Sequence, residues 1–174
     1  MEKNEDLEVV SQKAGSDLDT QVKDTEEIVS HDKTIALILA GMAIFNFFYD
    51  TCFSDVKNCL NNTKTSGKKL LVVLITFFHH FLAVFGLFGW LFNNKKILMT
   101  YVILITITIV QWKINKGHCV ITRAVSKLSD TPKYKRFNDF YQIIGLKKLI
   151  PSRWLYYVSL SIFIGIALYK IYFT

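Results

Sequence analysis

Acidic residues are scarce beyond the first thirty-three positions of this 174-residue chain. Ten of the 14 Asp and Glu residues precede Thr34, and the four others are Asp50, Asp55, Asp130 and Asp139. The formal net charge of +7 therefore belongs to the region after an acidic tail. The whole chain is therefore not one basic surface, because its net charge averages an acidic N-terminal region and a basic remainder.

Several functional motifs are also missing from the sequence. There is no phosphate-binding nucleotide loop, no zinc-protease motif and no hydrolase elbow, and no potassium-filter sequence such as TVGYG. The acidic N-terminus has no apolar segment of the kind that a secretory signal peptide contains, so we expect none. These absences favour a non-enzymatic protein, although they leave enzymatic activity open.

Long apolar runs are what the sequence does contain, at 34–49, 70–92, 97–112 and 154–169. About 20 apolar residues are needed for a helix to cross a bilayer, and soluble helices normally keep a polar face. We therefore predict an all-α polytopic membrane protein, a four-helix transmembrane bundle with interfacial amphipathic helices. The predicted spans are about 34–53, 70–92, 97–113 and 154–172, within a transmembrane domain at 34–174. Charged residues at the span ends are expected near the headgroups: Lys33, Asp50, Lys113 and Lys170.

The region 1–33 is predicted to be a disordered acidic tail, because its hydrophobicity is low and it contains no aromatic residue. With four spans, both termini and the turn at 93–96 share one side of the membrane, here the terminal side. The segments 50–69 and 113–153 share the other, the loop side. Lys and Arg number 7 on the terminal side and 14 on the loop side. The positive-inside rule then predicts non-cytoplasmic termini.

Two features of the 50–69 segment favour the opposite orientation. Asn61-Asn62-Thr63 is a glycosylation sequon, and Cys52 and Cys59 are close enough in sequence to form a disulfide. Both features matter only if this segment is lumenal, and sequons occur often by chance. We therefore retain the orientation that the charges predict.

Polar side chains occur in the loop-side half of three predicted spans. Such residues tend to face the interior of a bundle and are candidates for function. The predicted cluster consists of Asn46, Asp50, His79, His80, Gln111 and Asn115. Adjacent helical residues diverge by about 100°, so the two histidines cannot face the same way. His79 is predicted to face inward, because it shares a helical face with Ala83, Gly86 and Gly89.

Three roles remain open for these histidines. One neutral imidazole can hydrogen-bond Asn46 or a backbone carbonyl and hold two helices together. A haem or transition-metal site would use His79, His80, His118 and Cys119, although His118 follows the third span closely in sequence. A proton relay would use His80 with Asp50. The first role needs no cofactor, and it is the one that we favour.

The basic segment 113–153 contains two amphipathic stretches. In "CVITRAVSKLSD" the apolar side chains form one stripe, and "FNDFYQIIGLKKLIP" repeats the plan, so both are predicted to be short helices in the headgroup region. The residues predicted to face anionic lipid headgroups are Lys133, Lys135, Arg136, Lys147 and Lys148. This spacing of cations with apolar residues suits a membrane face better than a nucleic acid.

The order "FHHFLAVFGLFGWL", a short turn, "QWKINKGHCVIT" and then "FNDFYQIIGLKKLIP" resembles small uncharacterised polytopic membrane proteins of bacteria and large DNA viruses. Their pattern is a His early in one span, a Gly beyond it, a Trp near the end of the next, a Cys-x-x-Thr and an aromatic-containing segment. The matching positions are His79 or His80, Gly86 or Gly89, Trp112, Cys119, Thr122 and Phe140. Val120 stands where the bacterial proteins usually have Pro. The resemblance implies a four-span fold and a viral-membrane origin, and it implies no activity.

The sequence thus predicts a structural or assembly protein of an endoplasmic-reticulum-like or virion membrane. The expected partners are the lipid bilayer, its anionic headgroups, and other membrane or virion proteins, without nucleic acid; a homo-oligomer is left open. The alternatives are a haem- or metal-binding redox protein and a small channel or proton pathway. No cofactor is expected unless the redox alternative holds.

Overall fold

The computed structural model describes residues 3–53, 55–115, 119–129 and 153–173, and within these ranges every regular element is a helix. Six α-helices follow in order: α1 (Lys3–Phe53), α2 (Asp55–Asn62), α3 (Ser66–Phe88), α4 (Lys95–Ile114), α5 (Val120–Leu128) and α6 (Arg153–Phe173), with a 3-10 turn at Gly89–Leu91 after α3. The all-α prediction is confirmed.

Four helical segments are long and apolar enough to cross a membrane: Thr25–Phe53, Ser66–Leu91, Lys95–Ile114 and Tyr156–Phe173. They coincide with the four predicted spans, and they expose most of their side chains because their apolar character extends around the helix. In α4, which is rich in β-branched residues, Thr100, Thr106 and Thr108 each donate a hydroxyl hydrogen bond to the carbonyl four residues earlier. The hydroxyls of these three threonines are thus satisfied within the helix, as lipid requires.

Helix α1 differs from the predicted tail, because it continues without interruption from the first span back to Lys3. Once a helix is nucleated, each further residue adds a hydrogen bond at small cost. Glu and Lys, which are good helix formers, are frequent in the tail, and the chain has no proline before Pro132. At about 1.5 Å per residue, the 51 residues of α1 extend roughly 75 Å.

The spans pack in two principal pairs, α1 with α3 and α4 with α6. The main apolar core includes Leu39 and Ala43 of α1, Val84 of α3 and Leu98 of α4. The ring of Trp90 stacks on that of Phe163 in α6, with centroids 5.4 Å apart. This packing leaves α3 with neighbours on more than one side, which determines where its polar side chains point.

A second, smaller core lies on the loop side, between α2, the beginning of α3 and α5. Its buried members are Val56, Cys59, Val72 and Val125. Helix α5 was predicted, and most of its apolar stripe packs against the core formed with α2 and α3, whereas Val120 is exposed. No disulfide joins the three cysteines, all of which lie in the described ranges. The second predicted amphipathic stretch, at 137–151, lies outside those ranges.

Candidate functional site

A buried histidine–aspartate pair joins the first span to the second. His80 Nε2 in α3 lies 3.1 Å from Asp50 Oδ2 in α1, a distance at which an imidazole N–H donates to a carboxylate. The side chains are 1% and 0% exposed. Removing charged groups from water is costly, so a pair this deep persists only with good geometry and further partners. It is the most unusual polar feature among the described spans.

The spacing of residues along α3 explains why His80 is buried. Val72, Thr76, His80 and Val84 follow at intervals of four, which places them on one stripe of the helix. The Thr76 hydroxyl donates to the Val72 carbonyl at 2.7 Å, so this polar neighbour is satisfied locally. The stripe presents His80 to α1, where Asp50 meets it.

Asn46 lies one helical turn before Asp50 on α1 and is 2% exposed. Its side-chain oxygen is buried and has no hydrogen-bond partner among the described residues. An unsatisfied buried acceptor costs roughly 1–3 kcal/mol. The α1 side of the contact with α3 therefore carries a carboxylate and an amide oxygen, and only the carboxylate is bonded to the imidazole.

The prediction that His79 is the inward-facing imidazole is wrong, because His80 is buried and His79 is only half-buried. The two rings lie 5.7 Å apart at an angle of 67°. The prediction rested on Gly86 and Gly89, which do lie at a close helix contact. That contact is with α4, where Tyr101 donates its hydroxyl to the Gly86 carbonyl at 3.0 Å. Helix α3 has two buried faces, and the histidine belongs to the one that meets α1.

The other two members of the predicted cluster lie at the loop-side end of α4. Asn115 donates through Nδ2 to the Gln111 carbonyl at 3.1 Å, and its Oδ1 accepts from Arg123 Nη1 of α5 at 3.4 Å. Together with neighbouring residues of α4 they border a groove of about 320 Å³. Of the six predicted residues, Asn46, Asp50 and His80 thus lie between α1 and α3, and Gln111 and Asn115 lie near α5.

A second polar site, which the sequence did not predict, closes the terminal side of the bundle. Both oxygens of Asp32 in α1 accept backbone N–H groups of the turn before α4, from Asn93 at 2.8 Å and from Asn94 at 2.9 Å. From α6, Lys170 Nζ donates to the carbonyls of residues 90–92 at 3.2–3.4 Å and to Asn93 Oδ1 at 3.0 Å. We call Asp32, Asn93, Asn94 and Lys170 the terminal-side polar site.

The sequence carried a signal for this site, although a weak one. An acid at the start of the first span, a double asparagine between two spans and a single lysine within the last apolar helix are each unusual. His31 belongs to the same region, since its Nδ1 lies 3.3 Å from both Asp32 Oδ1 and Asn93 Nδ2. Lys170, which was expected near the headgroups, is held by the turn after α3, at the terminal-side end of the spans.

The two polar sites lie toward opposite faces of the membrane. Asp32 and Asp50 are 18 residues apart on α1, or about 27 Å along the helix. His80 and Asn93 are 13 residues apart, or about 20 Å. The hydrocarbon core is about 30 Å thick. The pair of Asp50 and His80 therefore lies in the loop-side half, as the sequence predicted for its polar cluster.

Of the four predicted metal ligands, His79, His80 and Cys119 lie in the described ranges and His118 does not. No group of three His, Cys, Asp or Glu side chains with the arrangement of a metal site occurs in the described part of the chain. Cys119 immediately precedes α5 and is half-buried. The predicted headgroup ligands Lys133, Lys135, Arg136, Lys147 and Lys148 all lie outside the described ranges.

These helices define a multi-pass integral membrane protein that contacts the lipid bilayer. Comparison of the chain with protein-family models, curated proteins and solved structures gave no match.

Proposed function

We propose that this chain is a non-enzymatic structural or assembly protein of an endoplasmic-reticulum-like or viral membrane. The observation that supports this function is that polar side chains of the spans bond one helix to another. Asp50 bonds α1 to α3, Tyr101 bonds α4 to α3, and Asp32 and Lys170 bond α1 and α6 to the turn between α3 and α4. Each of these contacts joins different parts of the bundle.

Such contacts between helices favour a rigid scaffold over a pathway for ions or substrates. A pathway for ions or substrate needs polar groups that succeed one another across the bilayer and exchange partners. Here the two main polar sites are separated by four to five turns of apolar helix, including Ala43 and Val84 of the main core. The bundle is therefore suited to hold other elements in place.

The element that it holds on the terminal side is the polar part of α1. Residues 25–31 are exposed, including Glu26 and Glu27, and so are the apolar side chains Val22, Ile28 and Val29. An exposed acidic helix with apolar side chains is suited to bind a basic partner. Asp32 fixes the base of this helix to the turn before α4, so its direction is set by the bundle.

The proposed membrane follows from span length and from the resemblance to viral and bacterial polytopic proteins. Helices α4 and α6 are 20 and 21 residues long, lengths that the thinner bilayer of the endoplasmic reticulum accommodates. The excess of Lys and Arg on the loop side supports non-cytoplasmic termini.

Site-specific photo-crosslinking in intact membranes tests the assembly function. A crosslinking residue at exposed Val22 is expected to give a discrete protein adduct, which is lost when Glu26 and Glu27 are replaced by Gln. The matched control is exposed Met99 on the lipid-facing side of α4, which is expected to capture lipid only. An adduct of twice the chain mass would identify a homo-oligomer. Absence of any protein adduct at Val22, or an adduct indifferent to the two Gln substitutions, contradicts the proposal.

A proton or ion pathway is the second candidate, and the buried group of Asn46, Asp50 and His80 favours it. Proton flux into liposomes containing the purified protein separates the two functions. The assembly function predicts the flux of protein-free liposomes, whereas a pathway predicts added flux that Asp50→Asn abolishes. The absorption spectrum and metal content of the same sample test the haem- or metal-binding alternative.

A further inference from the structure

The loop-side core supports a compact group of short elements at one face of the membrane. Helix α2, the turn after it and the first turns of α3 come from 55–72, and α5 with its flanks comes from 119–129. They pack around Val56, Cys59, Val72 and Val125, each 0% exposed. We call these residues, 55–72 and 119–129, the loop-side cap.

The depth of the cap follows from the length of the second span. Counting back from Leu91, where that span ends on the terminal side, about 20 residues cross the hydrocarbon core and reach Leu71. The residues from Ser66 to Leu70 then extend roughly 7 Å beyond the core, at about 1.5 Å per residue. The outer part of the cap therefore lies at the level of the lipid phosphates.

The outer surface of the cap is strongly basic. Asp55 is the one acidic residue in its two segments, against six cationic residues. All six are exposed: Lys57, Lys64, Lys68, Lys69, Arg123 and Lys127. They are carried on α2, the turn, α3 and α5, and the shared apolar core fixes these elements relative to one another. The cations therefore belong to one preorganised surface.

Most of the apolar stripe of α5 is covered by protein, and Val120 is its exposed member. Val125 of α5 is buried in the core formed with α2 and α3, and Ile121 and Leu128 pack against that core. An amphipathic helix that inserts its apolar face binds membranes in high salt, whereas a surface that binds by charge is screened. The attraction of this cap to a membrane must therefore be mainly electrostatic.

We propose that the loop-side cap is a binding surface for anionic phospholipid headgroups of the adjacent leaflet. Lipid phosphates and carboxylates supply the charge that the surface lacks, at the depth where its lysines lie. This site is separate from the lysines and arginine of 133–148 that the sequence predicted, and it does not depend on the assembly function. It gives the bundle a preferred leaflet, because the terminal side has fewer cations and carries the acidic helix.

The test uses two matched pairs of lysines. Lys68 and Lys69 occupy the first turns of α3 on the loop side, and Lys95 and Lys96 occupy the first turn of α4 on the terminal side; all four are exposed. The protein is placed in nanodiscs, and association with spin-labelled phosphatidylserine is compared with phosphatidylcholine by electron paramagnetic resonance. Each surface cation contributes about fivefold at low salt. Lys68→Gln/Lys69→Gln is expected to lower the selectivity for phosphatidylserine by up to about 30-fold, and Lys95→Gln/Lys96→Gln to change it much less.

Two further measurements make the result specific. High salt is expected to abolish the selectivity of the wild type, and Val120→Ser, which removes an exposed apolar side chain of α5, is expected to leave it unchanged. Unchanged thermal unfolding of both double variants shows that the fold is retained. Equal losses in the two variants, or selectivity that survives high salt, would overturn the proposal. So would absent selectivity in the wild type together with binding of soluble polyglutamate, since the cap would then be a docking site for an acidic protein.

Discussion

A double-mutant cycle on Asp50 and His80 measures how strongly the first two spans depend on their buried contact. His80→Leu leaves a carboxylate that is 0% exposed without its imidazole. Removing one partner of a buried ion pair costs about 3–5 kcal/mol, because the other charge stays buried. Asp50→Leu removes a hydrogen-bond partner of His80, which costs about 1–3 kcal/mol.

The double variant decides between two physical pictures of the pair. Replacing both members of a buried pair with apolar residues often changes stability little. The free energy of unfolding of the double variant is therefore expected to fall by about 1 kcal/mol or less. The coupling free energy is then at least about 3 kcal/mol. An ordinary interhelical hydrogen bond in a membrane protein couples by only about 0.6 kcal/mol on average. A large coupling thus indicates a buried charge, and a small one indicates a replaceable hydrogen bond.

The assay is reversible unfolding in mixed micelles, with SDS as the denaturant and far-ultraviolet circular dichroism as the signal. His79→Leu is the matched control, since this neighbouring imidazole is half-buried and is expected to cost about 1 kcal/mol or less. The reasoning is refuted if the single variants each lose less than about 1 kcal/mol and their effects add. It is equally refuted if His79→Leu costs as much as His80→Leu.

Two further predictions concern the packing and closure of the bundle. A Cβ at Gly89 would lie 2.5 Å from Tyr101 Cδ2. Gly89→Ala is therefore expected to lower the free energy of unfolding by about 1–3 kcal/mol in the same assay. Gly165 has open space around it, so Gly165→Ala is expected to change that free energy by less than about 1 kcal/mol. Equal effects of the two alanines would contradict the close approach of α3 and α4. Lys170→Met removes a cation that donates to three carbonyls, so the free energy of unfolding is expected to fall by about 1.5–3 kcal/mol. An unchanged free energy of unfolding would mean that Lys170 does not hold the turn.

The spans could be predicted from sequence because hydropathy and length are local properties. Each apolar run identifies a helix on its own, and even the β-branched run of α4 becomes a helix because lipid leaves its backbone no other partner. The course of α1 back to Lys3 could not be predicted, because a helix can extend from a neighbouring span into a polar segment whose composition indicates disorder.

The side-chain contacts depended on which helices become neighbours, and the sequence does not contain that information locally. His80 and His79 differ by one position, and only the packing of α1 against one face of α3, with α4 against another, selects His80. Asp32 and Asn93 are 61 positions apart and meet only in the folded bundle. The apolar stripe of α5 was recognised, but a stripe does not show whether lipid or protein covers it.

The central claim, that this is a multi-pass membrane protein, is tested most directly by the accessibility of single cysteines to a membrane-impermeant maleimide. In a background without Cys52, Cys59 and Cys119, cysteines replace four exposed residues: Lys23, Lys96, Lys64 and Arg123. The account predicts that positions 23 and 96 are labelled from one side of the membrane, and positions 64 and 123 only from the other. Labelling of positions 64 and 96 from the same side would contradict it, because α3 would then not cross the bilayer.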